Sequence, residues 1–388
     1  MKRALPALLV AAPAFWLACN ALVGIEAPEL RTDTGVAQTD SGVVSTCADA
    51  ARPPARPATE TPGAAGDVSF LVGLRSVTLG AGNVGFDLDQ RCTCLGEGSS
   101  CTKKVDAGEA GTCDEPGGRD VAINHFLDSL FVVAKGFSES DINAAIAKGD
   151  FGLLIRVESY NGLADDRAVK ATVYLASGLG TPTGDAGTDA KTDAKTDAKA
   201  DGDTGDTDDG GASDEWTWMV QPASAVDGGS PTEPLTFVDE DAYVVGGVLV
   251  SQRLNRIAIV LPSSVGPLGL QSEQGVLSAR IVPDGRGSFR LVEGQLGLRI
   301  RMESMLDAMG RLAVSAIPLC ATPFYADLRT RVCGIADLTR NPADDPAGTG
   351  DCNAISFGIG FETVPAKITG LKAVPLNGAG TCPKDSCP

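Results

Sequence analysis

Two pairs of aspartates in this chain have a spacing that suits a cation site. Asp87 and Asp89 alternate just before a pair of cysteines, and Asp165 and Asp166 lie at the end of a predicted strand. Carboxylate oxygens are the ligands that Ca²⁺ prefers, at about 2.3–2.6 Å. Aspartate is also common in ordinary turns. The residues therefore leave two interpretations open: a Ca²⁺ site built from these four carboxylates, with no other cofactor indicated, or plain turn chemistry.

A tryptophan pair is the second candidate binding feature. Trp216 and Trp218 alternate, so both rings are expected on one face of a strand. Rings in that arrangement stack on a sugar or a peptide, or they pack into the core. The sequence predicts a ligand-stacking role for them only as the alternative to core packing.

Motifs for the common enzyme classes are absent from the sequence. The single histidine, His125, lies in a predicted helix, where a packed or surface role is expected. There is no Gly-x-Ser-x-Gly, no His-Glu-x-x-His and no phosphate-binding loop. Catalysis by carboxylates alone stays open, because two acids are enough for glycoside hydrolysis.

The cysteines indicate export and disulfides. Eleven are present, and ten remain if Cys19 carries lipid. Zinc is disfavoured because there is no Cys-x-x-Cys pair and only one histidine. Exported proteins keep disulfides, so we expect up to five bridges among the candidates Cys47, Cys92, Cys94, Cys101, Cys113, Cys320, Cys333, Cys352, Cys382 and Cys387.

Sequence separation suggests how some of these cysteines pair. The four between residues 92 and 113 are expected to pair among themselves, with a bond between Cys92 and Cys94 excluded as too tight. A bond from Cys320 to Cys333 would close a short loop, of a size that typically adds about 3 kcal/mol. The same argument, applied more weakly, pairs Cys382 with Cys387.

The elements that must position these residues are mostly short strands. Alternating or β-branched apolar runs bounded by Gly, Asn or Pro predict strands at 68–79, 151–160, 170–176, 243–250, 256–261 and 295–302, and a hairpin from 279–282 to 288–292. Helical spacing predicts helices at 120–135, 138–148, 303–312 and 324–332.

Many strands with few helices predict a mainly β fold, a sandwich or a barrel rather than alternating β-α-β units. We expect an antiparallel β-sandwich of jelly-roll or lectin-like type, with a few short helices and disulfide staples. The globular domain spans residues 67–388, and whether it is one body or two stays open. Residues 181–215 interrupt it with TDAK repeats and Asp-Gly runs; they carry too little apolar surface to order, so a disordered loop between neighbouring strands is predicted.

The first residues have the layout of a bacterial lipoprotein signal. Lys2 and Arg3 precede a short apolar run that ends at Cys19. We expect residues 1–18 to be a signal peptide, Cys19 to be lipidated, and residues 19–66 to form a flexible tether to the cell envelope, at the outer membrane. Simple secretion is the alternative. The run is too short for a membrane span, which needs about 20 apolar residues.

Charge narrows the choice of partners. Without residues 1–18 the chain has 30 basic and 50 acidic residues, a net charge of −20. Nucleic acids and anionic lipid surfaces attract clustered Lys and Arg, so neither is an expected partner. The membrane is reached only through the N-terminal lipid, and a glycan or a surface protein is the expected ligand class. The sequence does not indicate an oligomeric state.

Several stretches together resemble the uncharacterised predicted lipoproteins of myxobacteria. The likeness lies in residues 86–94 (FDLDQRCTC), Cys101, residues 113–120 (CDEPGGRD), residues 160–166 (YNGLADD) and residues 352–358 (CNAISFG). The resemblance implies an envelope lipoprotein and brings no activity or site residues with it. The sequence thus predicts a non-enzymatic binding or surface-structural module, with a carboxylate-dependent glycoside hydrolase at the cell surface as the alternative.

Overall fold

The computed structural model describes residues 50–61, 68–80, 83–95, 97–104, 113–130, 137–179, 216–224, 237–314, 316–373, 382 and 385–387. All of them belong to one unit, Ser45–Pro388. The predictions for the signal segment, Cys19, Cys47 and the insert at 181–215 lie outside these residues.

Strands dominate the described chain. In chain order they are β1 (Val68–Thr78), β2 (Gly152–Tyr160), β3 (Asp166–Leu179), β4 (Trp216–Val220), β5 (Phe237–Val245), β6 (Val248–Ser251), β7 (Ala258–Leu261), β8 (Leu268–Pro283), β9 (Phe289–Arg301), β10 (Ala313–Val314), β11 (Ile317–Pro318) and β12 (Ala354–Leu371). The helices are α1 (Ala122–Leu130), α2 (Glu139–Lys148), α3 (Met302–Gly310) and α4 (Tyr325–Gly334), and short 3₁₀ turns cover Pro222–Ser224, Leu319–Ala321 and Pro342–Ala347.

Eight of these strands form a closed antiparallel barrel in the order β1-β2-β3-β5-β6-β8-β9-β12, with β12 pairing back to β1. The predicted β-sandwich is therefore wrong, although the mainly β class is right. Alternation of apolar and polar residues is the same in a sandwich and in a barrel. Closure depends instead on the β1–β12 and β3–β5 pairs, and no local pattern announces such long-range pairing.

The barrel interior is a packed apolar core. Alternate residues of every barrel strand enter one buried cluster, which includes Leu74, Val157, Val173, Val244, Leu249, Leu277, Leu291 and Ile359. An eight-stranded barrel is just wide enough for its side chains to fill. Binding chemistry is therefore expected outside the barrel, on the connections between its strands.

A smaller apolar cluster covers the outside of β1 and β2. Strand β4 pairs with β3 and with the end of β12, and its Trp218 lies over Gly73 and Gly152. A Cβ at Gly152 would come within 2.6 Å of the Trp218 ring. Leu179 of β3 pairs with Trp218 of β4, so the described residues before and after the insert lie in neighbouring strands.

The helices pack on the barrel strands: α1 on β12, α2 on β1, and α3 on β8 and β9. Helix α2 begins as predicted, because the side chain of Ser138 accepts a hydrogen bond from the Asp141 N–H at 3.1 Å. It ends at Gly149, whose φ of 79° favours glycine.

Two hairpins differ in how well the sequence predicts them. The turn between β8 and β9 is confirmed: Asp284 Oδ1 accepts hydrogen bonds from Arg286 N–H and Ser288 N–H, both at 2.8 Å. The predicted single strand at 243–250 is wrong. Gly246 and Gly247 have φ angles of 56° and 77°, which makes a two-residue turn between β5 and β6.

Four disulfides join described cysteines: Cys94–Cys113, Cys101–Cys352, Cys320–Cys382 and Cys333–Cys387; Cys92 is also disulfide-bonded. The first lies within the expected group, but Cys101 bonds to Cys352, just before β12, so the prediction that all four cysteines between residues 92 and 113 pair among themselves is wrong. The predicted bonds Cys320–Cys333 and Cys382–Cys387 are wrong. Cys333 lies in helix α4 and Cys320 in the 3₁₀ turn before it, and each bonds to the C-terminal residues, across 54 and 62 residues of sequence, so short sequence separation is no guide to the pairing.

Part of the predicted tether contacts the body. Arg56 forms an ion pair with Asp241 at 2.8 Å, and its guanidinium lies over the Tyr243 ring. The Tyr243 hydroxyl donates to the Pro54 carbonyl at 2.6 Å. Residues 54–56 thus contact β5, whereas Ala51 and Arg52 bond to Gly117 and Asp87. In the described part of the chain, none of the helices has the length and apolar character needed to cross a membrane.

Candidate functional site

Three buried aspartates meet between β1 and α1. Asp87, Asp89 and Asp120 each place a carboxylate oxygen within 4.8 Å of the other two, and their residues are only 6%, 3% and 1% exposed. All three belong to residues 83–120, which we call the cysteine-rich segment. This is the one carboxylate, Cys and His cluster of metal-binding geometry found among the described residues.

Backbone hydrogen bonds hold these carboxylates in place. Asp120 Oδ2 accepts from the N–H of Leu88 at 2.6 Å, and Asp89 Oδ1 accepts from the N–H of Arg91 at 2.8 Å. Asp120 in turn donates its N–H to the Phe86 carbonyl at 3.0 Å. The stretches 86–91 and 118–120 are therefore bound to each other mainly through the aspartates and their own backbone.

Glycine and disulfides make this close approach possible. Gly118 has a φ of 68°, and a Cβ there would lie 2.8 Å from the Cys92 sulfur. The Cys94–Cys113 bond closes the segment on itself, and Cys101–Cys352 fixes it to the start of β12. The Gly-Gly-Arg-Asp run at 117–120 is thus the local sequence that delivers Asp120.

Asp87 has one satisfied oxygen and one bare oxygen. Arg52 donates two hydrogen bonds to Oδ2, at 3.0 and 2.8 Å. Oδ1 is buried and has no hydrogen-bond partner among the described residues. The Asp87 side chain is fully buried, while that of Arg52 is 49% exposed. The arginine therefore reaches in from the surface and leaves Oδ1 to face the protein interior.

Two further carboxyls surround the three aspartates. Burial raises the pKa of Asp87 to about 6, that of Asp337 to about 6 and that of Asp114 to about 8. Burial, and then the nearby charges of Asp89, Asp114 and Asp337, raise the pKa of Asp120 well above its ordinary value. Burial also raises the pKa of Asp89. Such a group stays fully ionised only if a positive charge joins it.

The predicted quartet is divided by the fold. Asp87 and Asp89 come together, as expected, but their third partner is Asp120, which the sequence analysis missed. Asp165 Oδ1 accepts from the Gly246 N–H at 2.9 Å, and Asp166 accepts from the N–H groups of Asn161 and Ala168 at 2.7 and 3.1 Å. These two serve turns, so the four-carboxylate Ca²⁺ site is wrong in that half.

The tryptophans and the histidine have structural positions. Trp218 is fully buried, so it is not available to stack on a ligand, and Trp216 is partly buried beside it with ring centroids 6.0 Å apart. His125 Nε2 contacts Glu115 Oε1 at 3.0 Å near the surface. Core packing is thus the correct interpretation for Trp218.

A polar groove opens beside the cysteine-rich segment. It has a volume of about 630 Å³ and is lined mainly by amides and charged groups, among them Asn255, Glu273, Gln274, Arg340, Asn341, Asp344, Asp351 and Asn353. Glu273 Oε1 lies 2.8 Å from Arg301 and 3.0 Å from Arg340. Asp351 forms an ion pair with Lys104 at 2.8 Å. None of these residues was predicted from the sequence to bind a ligand, because they come together only through tertiary contacts.

A buried ion pair connects the groove with the aspartates. Arg299 Nη2 donates to Asp345 Oδ2 at 2.6 Å, and both side chains are 1% exposed. The same nitrogen donates to the Leu88 carbonyl at 3.1 Å, between Asp87 and Asp89. Asp345 lies in the Pro342–Ala347 turn that flanks the groove, so Arg299 bonds to both regions at once.

Comparison of the chain with protein-family models, with curated proteins and with solved structures gave no match.

Proposed function

We propose that this protein is an exported, envelope-anchored lipoprotein that acts as a non-enzymatic binding module and takes a neutral, hydroxyl-rich ligand such as a glycan. The observation that carries the proposal is the polar groove. Its side-chain amides offer both donors and acceptors, which suits hydroxyl groups that also do both.

The charges of the groove favour a neutral ligand. Three carboxylates, from Glu273, Asp344 and Asp351, line it against the single cation of Arg340. Arg301 and Lys104 pair with two of these carboxylates from outside the lining, so the local charge is balanced and the groove has no excess positive charge to attract a phosphate or another anion. Glu273 and Asp351 form ion pairs with cations of the protein itself. These ion pairs hold the groove walls in position, and the carboxylates can still accept hydrogen bonds from a ligand.

Export and anchoring rest on the sequence and agree with the disulfides. Four bonds between described cysteines suit an oxidising compartment. Attachment through Cys19, at the outer membrane, is proposed from the signal layout alone. Metabolic labelling with a palmitate analogue tests it: the wild-type chain should be labelled and Cys19→Ala should not. An unlabelled wild-type chain would contradict the lipid anchor and favour simple secretion instead.

Ligand binding is tested with a panel of neutral cell-wall and plant glycans, measured by calorimetry. Gln274→Ala and Asn255→Ala remove amides that line the groove and should weaken binding at least about tenfold when combined. Gln252→Ala is the matched control, because it lines a separate cavity near Tyr243. Equal glycan affinity in all variants would exclude the groove as the binding site.

The same samples test the hydrolase alternative. The proposal expects each bound glycan to be recovered intact after prolonged incubation. Release of shorter glycans by the wild-type protein would replace the binding-module account with a carboxylate hydrolase, and substitution of Glu273, Asp344 and Asp351 in turn would then identify its acids.

A further inference from the structure

Asp87, Asp89 and Asp120 have the geometry of ligands to one ion. Each offers an oxygen within 4.8 Å of the other two. Oxygens bound to a single Ca²⁺ at about 2.3–2.6 Å lie no more than about 5 Å apart. We propose that these three aspartates bind one calcium ion at the base of the cysteine-rich segment.

An independent observation points to a ligand at this position. Oδ1 of Asp87 belongs to a fully buried side chain and accepts no hydrogen bond from any described residue. A buried acceptor without a partner costs about 1–3 kcal/mol, and more when it is charged. Arg52 already holds Oδ2, so Oδ1 is the oxygen left for a cation.

The charge count matches a divalent ion. The three ligand carboxylates carry −3 when ionised and the guanidinium of Arg52 on Asp87 returns +1, which leaves −2 among these four groups; Asp114 and Asp337, outside the cluster, can only make the surroundings more negative. A Ca²⁺ ion neutralises that charge. A monovalent ion leaves a buried negative charge, which is costly in a region of low dielectric constant.

The donor set selects a hard cation and favours calcium over magnesium. All three ligands are oxygens, and the nearby Cys94, Cys101 and Cys113 are consumed in disulfides, so no thiolate is present to favour zinc. Magnesium keeps several bound waters, which a cluster this deeply buried accommodates poorly. Calcium tolerates irregular coordination and gives up water more readily.

An ion reaches the site from a surface cavity. Asp89 lines a cavity of about 510 Å³ together with Gln90, Arg91 and Glu97. Bound there, the ion joins the stretches that carry Asp87 and Asp120. Because Leu88, between two of the ligands, accepts from Arg299, it also steadies the Pro342–Ala347 wall of the groove.

The test begins with the wild-type chain after removal of metal by a chelator. Calorimetry with CaCl₂ should show one ion per chain with a Kd of about 10⁻⁴–10⁻³ M, the range of extracellular calcium modules. At 5 mM CaCl₂ the melting temperature should rise by about 5 °C, and MgCl₂ should produce a smaller shift. No binding heat together with no thermal shift would overturn the proposal, without bearing on the groove.

Variants then assign the ligands. Asp120→Asn and Asp87→Asn keep the side-chain shape and should weaken calcium binding at least about tenfold. Asp165→Asn is the matched control, because Asp165 lies outside the cluster, and it should keep wild-type affinity. Circular dichroism verifies that each variant is folded. The assignment would be contradicted if both cluster variants bound calcium with wild-type affinity, or if Asp165→Asn lost as much affinity as they did. Either result would mean that the ion binds at another site.

Discussion

The barrel and the cysteine-rich segment are stabilised in different ways. The barrel satisfies its backbone through strand ladders and fills its interior with apolar side chains. The described residues of the cysteine-rich segment form isolated bridges and turns, and disulfides, backbone-to-aspartate hydrogen bonds and buried carboxylates hold them together. The packed barrel is a stable scaffold, whereas the buried carboxylates of the cysteine-rich segment need a cation to balance their charge. The barrel therefore provides structural support, and the cysteine-rich segment provides the groups that bind a ligand.

The largest expected effect comes from the barrel side of this comparison. Trp218→Ala removes a fully buried ring that covers Gly73 and Gly152, and the free energy of unfolding should fall by about 3–5 kcal/mol. Trp216→Ala, at a partly buried ring, should cost clearly less. Denaturant unfolding measures both. A loss for Trp218→Ala no larger than that for Trp216→Ala would show that this patch does not support the barrel.

The disulfides should matter next, and unequally. Cys101–Cys352 joins residues 251 apart in the chain, whereas Cys94–Cys113 spans 19. Replacing the longer pair by serine should lower the free energy of unfolding by about 2–5 kcal/mol, and replacing the shorter one by less, because a longer closed loop constrains the unfolded chain more. Both variants should keep the far-ultraviolet spectrum of the barrel. Loss of that spectrum would mean that the barrel depends on the segment.

Stability of the metal-free protein should depend on pH through the buried carboxyls. Burial raises the pKa of Asp114 to about 8 and that of Asp87 to about 6, from an ordinary value of 3.8. Between about pH 4 and 8 the folded chain therefore holds more protons than the unfolded one, and the free energy of unfolding falls as pH rises. Melting temperatures in chelator should thus be lower at pH 8 than at pH 5.

A pair of variants assigns this pH effect. Asp114→Asn removes the carboxyl whose pKa is about 8 and should flatten the slope between pH 6 and 8. Backbone N–H donors, chiefly that of Arg286, lower the pKa of Asp284, so it is ionised across this range and Asp284→Asn should leave the slope unchanged. A free energy of unfolding that rises from pH 6 to pH 8 would contradict the interpretation that these carboxyls are buried and protonated.

The smallest effect is expected from deleting residues 183–214 and joining the flanks by a short Gly-Ser turn. Leu179 and Trp218 already pair in neighbouring strands, and each doubling of a flexible loop costs only about 0.6 kcal/mol. The melting temperature should stay within about 2 °C. A large fall would show that the acidic insert contributes to the barrel.

The sequence predicts elements better than their arrangement. Apolar spacing locates β1 and β9, and the turn residues at 283–287 locate the β8–β9 turn, because each of these signals is local. It does not distinguish a barrel from a sandwich, since closure depends on distant pairing. The Gly246–Gly247 turn carries a local signal that the sequence analysis overlooked.

The candidate site, like the fold, is only partly predicted from the sequence. Asp87 and Asp89 stand out by their spacing, but Asp120 joins them only because Gly118 and the disulfides fold the cysteine-rich segment back. Asp165 and Asp166 look similar in sequence, yet backbone N–H groups already occupy their oxygens. Residue type suggests the chemistry, and only the tertiary fold selects which carboxylates take part in it.

Hydrogen exchange with and without 5 mM CaCl₂ tests most directly whether calcium binds in the cysteine-rich segment while the barrel serves only as its scaffold. We expect bound calcium to slow exchange in residues 83–95 and 113–121, to slow it less in Pro342–Ala347 through Arg299, and to leave β5 and β6 unchanged. Protection at residues 161–166, protection spread evenly through the barrel strands, or no protection anywhere would contradict it.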